Sequence, residues 1–229
     1  MAILESAKIR KLFDRIAVRY DFLNSLLSFR LDLSWRNRAS IEVAGTGARR
    51  ILDLGTGTGK FLEPFLKRRA WDLSAGMDFS GAMLQVAQKR MDGEVRWIQG
   101  DFGAMPFKAA SFDLIVSAFT LRSVADLGVF FRAVYGLLDR GGKAAFLCLT
   151  RPVDRWVRLL YEPYMKIYLP AAGKLFSRDE DAYRFLSDSV LRFQEPYETL
   201  AMMRTAGFQK TGQKSFSGGL ATLLIGEKA

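Results

Sequence analysis

The sequence predicts an α/β domain: an open, mostly parallel sheet of seven strands with helices on both faces, an antiparallel C-terminal strand, and a helical segment ahead of the first strand. Three observations predict it. Up to residue 150, short apolar runs alternate with helical patterns, the order that builds a parallel sheet. The run Ile51-Leu52-Asp53-Leu54 stops at Gly55, Gly57 and Gly59 before helical spacing resumes at Lys60, so a strand feeds a turn with free backbone N–H groups. Finally, Gly55–Gly59, Asp78, Asp101 and Ala118–Phe119 all fall at the carboxyl ends of predicted strands, where ligands of such sheets bind.

Taken in order, residues 3 to 44 read as helices with a break. Ile9, Leu12, Phe13, Ile16 and Ala17 recur at helical spacing, and residues 20–35 are unusually apolar and aromatic. That segment either buries a face against the sheet or forms a lid over an apolar occupant. Phe61, Leu62, Phe65 and Leu66 continue a helix after the glycine turn, and Trp71 to Met77 form the second strand. DFSGAML opens the next helix, and Val95 to Ile98 is the third strand. Phe112 to Phe119 is the fourth strand. A helix over Leu127–Leu138 should stop at Gly141-Gly142, with Lys143–Leu149 as the fifth strand. Residues 151–195, cut by Pro163 and Pro170, read as an inserted cap. A helix over Tyr197–Ala206 with Gly207 as its stop precedes a final hairpin, Phe208–Phe216 and Gly219–Ile225.

At 229 residues the chain suffices for one domain with a sizeable core. One cysteine, Cys148, offers no disulfide framework and fits a reducing compartment; residues 1–10 lack a secretory hydrophobic block, so a cytoplasmic protein is expected. The chain contains no histidine, which removes the usual general base and the commonest metal ligand. Zinc catalysis and a Cys–His nucleophile are thereby excluded, and no metal is expected. The net charge of +10 suits nucleic acid or an anionic membrane, but the basic residues are spread along the chain and form no dense face. No nucleic-acid partner is expected.

The glycine spacing narrows the ligand. A dinucleotide fingerprint counted from Gly55 needs glycine where Lys60 stands, and counted from Gly57 where Leu62 stands. A triphosphate loop needs glycine at Leu54 and a hydroxyl at Phe61. The remaining form, D-x-G-x-G-x-G from Asp53, suits a nucleoside without pyrophosphate. Asp78, 23 residues past Gly55, sits where a carboxylate accepts both ribose hydroxyls; capping the following helix is its competing role, although Ser80 can cap instead. Asp101 stands where a side chain reads a purine edge, with Met83 and Phe102 either sandwiching the ring or serving the core.

ILDLGTGTG, MDFSGAML, QGDFGAMPF and FDLIVSAFTLRSVAD followed by LLDRGGKAAFL resemble the ordered motifs of class I S-adenosylmethionine-dependent methyltransferases. YDFLNSLLSFRLDLSW, AYRFLSDSVLRF and FSGGLATLLIG resemble the two ends of the ubiquinone/menaquinone biosynthesis C-methyltransferases, and the likeness spans nearly the whole chain. It implies a Rossmann-like fold, with 1–44 as lid and 151–195 as cap of a single domain over 1–229. It also implies S-adenosylmethionine as methyl donor, held by Tyr20, Asp53, Gly55, Gly57, Thr58, Asp78, Phe79, Met83, Asp101, Phe102 and Ala118. The chain departs from that pattern at Ala118 (usually serine), Ser123 (asparagine), Asp32 (histidine) and Cys148 (glutamate).

The implied reaction is direct displacement at the sulfonium methyl, which needs alignment and exclusion of water rather than a metal or covalent intermediate. Methylating a quinol ring carbon is helped by loss of a phenolic proton. Without histidine, a carboxylate or tyrosine must relay it, or the ring ionises near Arg36 or Arg122. Asp32 is the preferred candidate; capping the helix at Leu33-Ser34-Trp35 is its alternative. An isoprenoid tail would account for an apolar roof over 20–35 and 156–176, and Arg151, Arg155, Arg158 and Lys166 could rest on anionic headgroups as peripheral contact at the inner face of the membrane. N- or O-methylation of another small molecule or phospholipid is the runner-up. A nucleic-acid methyltransferase or a non-catalytic nucleoside-binding protein ranks below it.

Overall fold

Helices α1 (Ala2–Leu27) and α2 (Leu31–Ala44) are parted where Phe29 and Arg30 take φ of 51° and 63°, a left-handed conformation that no helix continues through. The computed structural model describes residues 2–44, 47–91, 93, 95–152, 155–168 and 188–229. Its sheet contains β1 (Arg50–Leu54), β2 (Leu73–Asp78), β3 (Val95–Gln99), β4 (Phe112–Ala118), β5 (Leu138–Leu149), β6 (Gln209–Phe216) and β7 (Ala221–Glu227). Their order is β3-β2-β1-β4-β5-β7-β6, parallel from β3 to β5, with β7 antiparallel to both β5 and β6. Chain order therefore reverses between β1 and β4, and a crevice opens at the carboxyl ends flanking that point.

The sheet is buried on both faces, which is why its central strands are continuous apolar runs. On one face Leu52, Leu54, Phe146, Cys148 and Leu224 pack with α5 (Leu127–Leu137) and the C-terminal helix Pro196–Thr205. On the other, Ile51, Leu114, Val116, Leu147 and Leu223 pack with Trp35, Ala39 and Val43 of α2 and with Phe61, Leu62 and Phe65. A third cluster joins Leu12, Ile16, Leu23 and Leu27 of α1 to Met83 of α4 (Gly81–Arg90) and to Met165 and Val190.

Two expected elements differ. The helix after the glycine turn is only Glu63–Leu66 (α3), with residues 55–62 in turns. Pro64 has no N–H to donate and fits only a first helical turn, so the helix cannot reach back to Lys60. Gly141-Gly142 do not stop α5, which ends at Leu137 where β5 begins directly. The glycines instead serve an irregularity inside β5: Phe112 pairs with Leu138 and Leu114 with Lys143, so extra residues of β5 loop out between them. Gly141 takes φ 75° there, and a Cβ on Gly142 would lie 2.8 Å from the Asp139 carbonyl. In the inserted stretch, α6 (Arg155–Pro163) passes into a π turn, Tyr164–Tyr168, and residues 188–192 are helical; Pro170 lies outside the described residues.

The start of β1 is fixed by one carboxylate. Asp113 Oδ2 accepts the N–H groups of Arg49 (2.8 Å) and Arg50 (2.9 Å), and Oδ1 accepts the Arg50 guanidinium. Partial burial would push this carboxyl up, but the Arg50 guanidinium and the two N–H groups together hold it below its usual range. Its contribution is therefore present at neutral pH and lost as pH falls through that lowered value. Asp113→Ala should cost about 1–2 kcal/mol in urea unfolding at pH 7, since it takes the acceptor from two backbone donors while Arg50 keeps its pair with Asp139. A loss below about 0.5 kcal/mol would contradict this clamp.

Candidate active site

Three glycines turn the chain off the end of β1, each at positive φ (67° at Gly55, 56° at Gly57, 77° at Gly59). Gly55 is required by crowding, because a Cβ there would sit 2.5 Å from the Thr120 side chain. Gly57 is favoured by its positive φ and faces open space: among the described residues no heavy atom lies within 4 Å of where its Cβ would be, and it lines a cavity. The Gly55 and Thr56 N–H groups donate to the Met77 carbonyl at the end of β2 (2.8 and 3.0 Å), and the Gly57 N–H donates to Asp78 Oδ2 at 2.8 Å.

Asp78 is buried. Its Oδ1 accepts the Ser80 N–H at 2.9 Å, and burial raises the carboxyl to about 6 despite its backbone hydrogen bonds. Capping of α4 falls to Ser80, whose Oγ accepts the Met83 N–H at 3.1 Å. Asp78 is thus not spent as a cap; it lines the cavity, and beyond the Gly57, Phe79 and Ser80 N–H groups its carboxylate keeps acceptor capacity for a ligand. Asp53, fully buried, accepts the Thr56 hydroxyl at 2.8 Å on Oδ2, while its Oδ1 has no hydrogen bond; burial lifts this carboxyl to about 7. It braces the loop from beneath and does not line the cavity, unlike the other ten residues expected to hold the donor. Asp101 is exposed just past β3, where its Oδ1 accepts the Gly103 N–H at 2.8 Å. Met83 and Phe102 line the cavity and also pack in the apolar clusters.

Helix α1 covers this cavity with Ile9, Phe13 and Tyr20. It is tied down by two carboxylates: Ser80 Oγ donates to Asp14 Oδ1 at 2.6 Å, and Thr58 Oγ1 donates to Asp21 Oδ1 at 2.7 Å, with Arg90 paired to Asp21. These ties were not anticipated. The available signal was that Asp14 and Asp21 stand seven residues apart beside the helix's apolar positions Phe13, Ile16, Ala17 and Tyr20.

A larger, mostly apolar chamber of about 350 Å³ adjoins the first cavity, of about 100 Å³, with Tyr20 and Phe119 as shared walls. Phe119 takes φ 63°, an uncommon conformation for an aromatic residue, and Trp35 meets its ring edge-on. The Arg36 guanidinium lies 4.8 Å from its centroid. Leu27, Leu31, Leu149, Met165 and Leu220 supply apolar lining; Asp32 and Arg122 supply charge. The Asp32 N–H is taken by Ser28 Oγ (3.3 Å), so the Asp32 carboxylate is not itself the cap. Its Oδ1 accepts the Ser28 hydroxyl at 2.9 Å, while its buried Oδ2 has no hydrogen bond among the described residues and lies 3.9 Å from Arg36 Nε. Arg122 donates to Ser189 Oγ at 2.7 Å, and burial holds its guanidinium below the usual value. Burial also pushes Tyr161 upward and Tyr164 and Cys148 up to about 12, so these groups stay protonated at neutral pH.

The residues fit a nucleoside sulfonium: the Gly57 vacancy admits a ligand against the backbone, Asp78 offers acceptors, and the turn lacks a phosphate cradle. Fold and site together define an S-adenosylmethionine-dependent methyltransferase. The match to the ubiE/COQ5 methyltransferase family spans residues 1–228, and the chain belongs to that family. It is 40% identical to the demethylmenaquinone methyltransferase of Thermotoga maritima over 220 residues, covering 95% of this chain and 94% of the relative. It is 38% identical to the protein of that name from Thermus thermophilus, covering 95% and 100%. Among solved structures it is similar in fold to an S-adenosylmethionine-dependent methyltransferase of Thermotoga maritima described as a possible histamine N-methyltransferase (TM-score 0.68, 20% identity, 96% and 99% covered). Human N-acetylserotonin methyltransferase in complex with the methyl donor is a further fold neighbour (TM-score 0.61, 18% identity, 91% of this chain and 55% of that one).

Because only the ionised Asp78 keeps all its acceptors, donor affinity should fall with pH. With the carboxyl at about 6 in the free protein, titration calorimetry should show binding about tenfold weaker at pH 5 than at pH 7.5. Asp78→Asn should bind about 10- to 100-fold more weakly at pH 7.5 and lose that pH dependence. Equal affinity at both pH values in the parent protein would contradict the role.

Proposed function

We propose that this chain transfers a methyl group from S-adenosylmethionine to the ring carbon of a prenylated quinol such as demethylmenaquinol. The observation that carries this reading is the large apolar chamber joined to the donor cavity through Tyr20 and Phe119, with Asp32 and Arg122 on its wall. The names of the relatives point to the same acceptor class.

When bound, the donor supplies an electrophilic methyl carbon. The chain's part is placement and charge. Gly57, Asp78 and Asp101 hold the nucleoside, with Met83, Phe79 and Phe102 about the base. Asp53 acts indirectly, through Thr56. Helix α1 is a lid whose Tyr20 closes over both chambers, excluding water from the sulfonium. Of the expected cap, the described segment contributes Tyr161, Tyr164 and Met165 to the chamber wall, and residues 169–187 lie outside the described residues. In the larger chamber Arg122 favours an ionised ring hydroxyl, and Asp32 Oδ2 accepts the phenolic proton. Transfer would join the ring carbon to the methyl group with release of S-adenosylhomocysteine, and the hydrogen on that carbon would then leave as a proton to solvent, restoring the aromatic quinol. Tyr161 and Tyr164, held protonated, are poor relays. Asp32 thus takes the place that histidine fills in most of the family, and Cys148 leaves the glutamate position uncharged at neutral pH.

Among the described residues no helix is long and apolar enough to cross a membrane, and we read contact with lipid as peripheral. Arg151, expected to face headgroups, pairs with Glu195 at 2.9 Å. Methylation of a hydroxyl or amine in the same chamber is the second reading, since the donor side would be identical.

Incubated with donor and a reduced, prenylated demethylmenaquinone, the purified protein should yield a quinone heavier by one methyl, with fragmentation placing it on ring carbon. Methyl on oxygen, or no product with this acceptor, would overturn the reading. Asp32→Asn should lower kcat by about 100-fold while leaving donor affinity within about twofold. Unchanged turnover would remove Asp32 from the mechanism.

A further inference from the structure

Large apolar side chains scattered singly on a surface carry no message; clustered ones do. Nine are exposed among the described residues, and six of them lie on α1, the α1–α2 junction and the α6–π segment: Val18, Phe22, Leu26, Phe29, Leu159 and Tyr168. Val18, Phe22 and Leu26 stand at i, i+4 and i+8, one outward stripe opposite the buried Leu12, Ile16, Leu23 and Leu27. Val18 is 88% exposed and Phe22 66%. The stripe runs on through Phe29, whose ring lies 6.5 Å from that of Tyr164, which in turn stacks on Tyr168 at 5.3 Å. Tyr164 also donates to the Leu27 carbonyl, so α1 and the α6–π segment present a joined surface.

Two further features say what this surface meets. Its margin is basic: Lys11, Arg15 and Arg19 are exposed on α1, and Arg155, Arg158 and Lys166 on the α6–π segment. The carboxylates of this part of α1, Asp14 and Asp21, are engaged by Ser80, Thr58 and Arg90. In addition, Phe29 is 71% exposed yet lines the larger chamber, so the apolar patch and the chamber share a wall at this residue.

We infer that this face docks on an anionic lipid bilayer, with Val18, Phe22, Leu26 and Phe29 entering the headgroup boundary and the chamber mouth turned to the lipid. In its purpose this rests on the lipophilic-acceptor reading: a ring enters past Phe29 while its prenyl tail stays in the bilayer. An apolar face bordered mainly by Lys and Arg is the form of an interfacial helix, and that basic margin favours a lipid surface over a second protein. Because the anchor is α1 itself, the helix that covers the donor cavity is the one held at the membrane.

The test is cosedimentation of the full chain with sucrose-loaded vesicles, either pure phosphatidylcholine or an equal mixture with phosphatidylglycerol. The expected result is at least about tenfold stronger binding to the mixture, weakened by added salt. Val18→Asp with Phe22→Asp, which line neither chamber, should lower that binding at least about tenfold while donor affinity is retained. Lys11→Glu with Arg19→Glu provides a charge-only variant should the first fail to fold. No preference for anionic vesicles, or full binding by a folded variant of either kind, overturns the proposal. So does light scattering that finds a dimer in the parent chain and a monomer in the variant, which assigns the face to a second copy. Turnover of a short-chain, water-soluble quinol by the same variants separates the two readings. Failure there in the parent chain removes the acceptor assignment and leaves the vesicle result standing, while normal turnover without vesicle binding removes only the docking face.

Discussion

The hydrogen bond from the Gly57 N–H to Asp78 joins the turn after β1 to the tip of β2, and most of the site depends on it. It forms only because Gly57 reaches a φ of 56° with no Cβ to occupy the cavity. Beneath the turn, Asp53 holds Thr56 in place; beside it, Ser80 takes over the capping of α4 and leaves Asp78 available. Parallel pairing of β1 with β2 and β4 brings these loops to one edge, so three short segments far apart in sequence share one crevice. The burial that this requires raises Asp53 and Asp78 towards neutrality, a cost in the ligand-free protein at higher pH that a bound nucleoside can offset at Asp78.

The same loops hold the cover. Ser80 and Thr58 each spend a hydroxyl on a carboxylate of α1, Asp14 and Asp21, so the helix that supplies Phe13 and Tyr20 is registered against the donor site rather than laid on it by apolar packing alone. Tyr20 and Phe119 line both the smaller cavity and the larger apolar chamber, the two sides that the proposed reaction would use for donor and acceptor. One wall serving both sides is what a direct transfer demands, because the reacting atoms must meet without water between them.

Much of this was legible in the sequence. The seven strands, the parallel order and the strand-end positions of Gly57, Asp78 and Asp101 followed from apolar periodicity and glycine spacing. So did the exclusion of phosphate loops, which needed only the identities of Lys60, Leu62, Leu54 and Phe61. What was not legible depended on three dimensions. Gly141-Gly142 reads as a helix stop until the register of β4 on β5 shows an irregular strand that needs them. The helix expected from Lys60 shrank to one turn because Pro64 fixed its start. Asp53 belongs to the motif yet faces away from the cavity, since it shares its strand face with Ile51 and sits towards α2. The positive φ of Phe119, which creates the shared wall, has no marker in sequence at all.

Direct transfer needs two occupants meeting at one wall. A crystal structure with S-adenosylhomocysteine and a short-chain prenylated naphthoquinol bound together tests this most directly. The ring should lie in the larger chamber against Tyr20 and Phe119, with a hydroxyl within hydrogen-bond reach of Asp32 Oδ2 and its chain leaving past Phe29. A quinol bound outside that chamber, or a ring whose hydroxyls face away from Asp32, would contradict it.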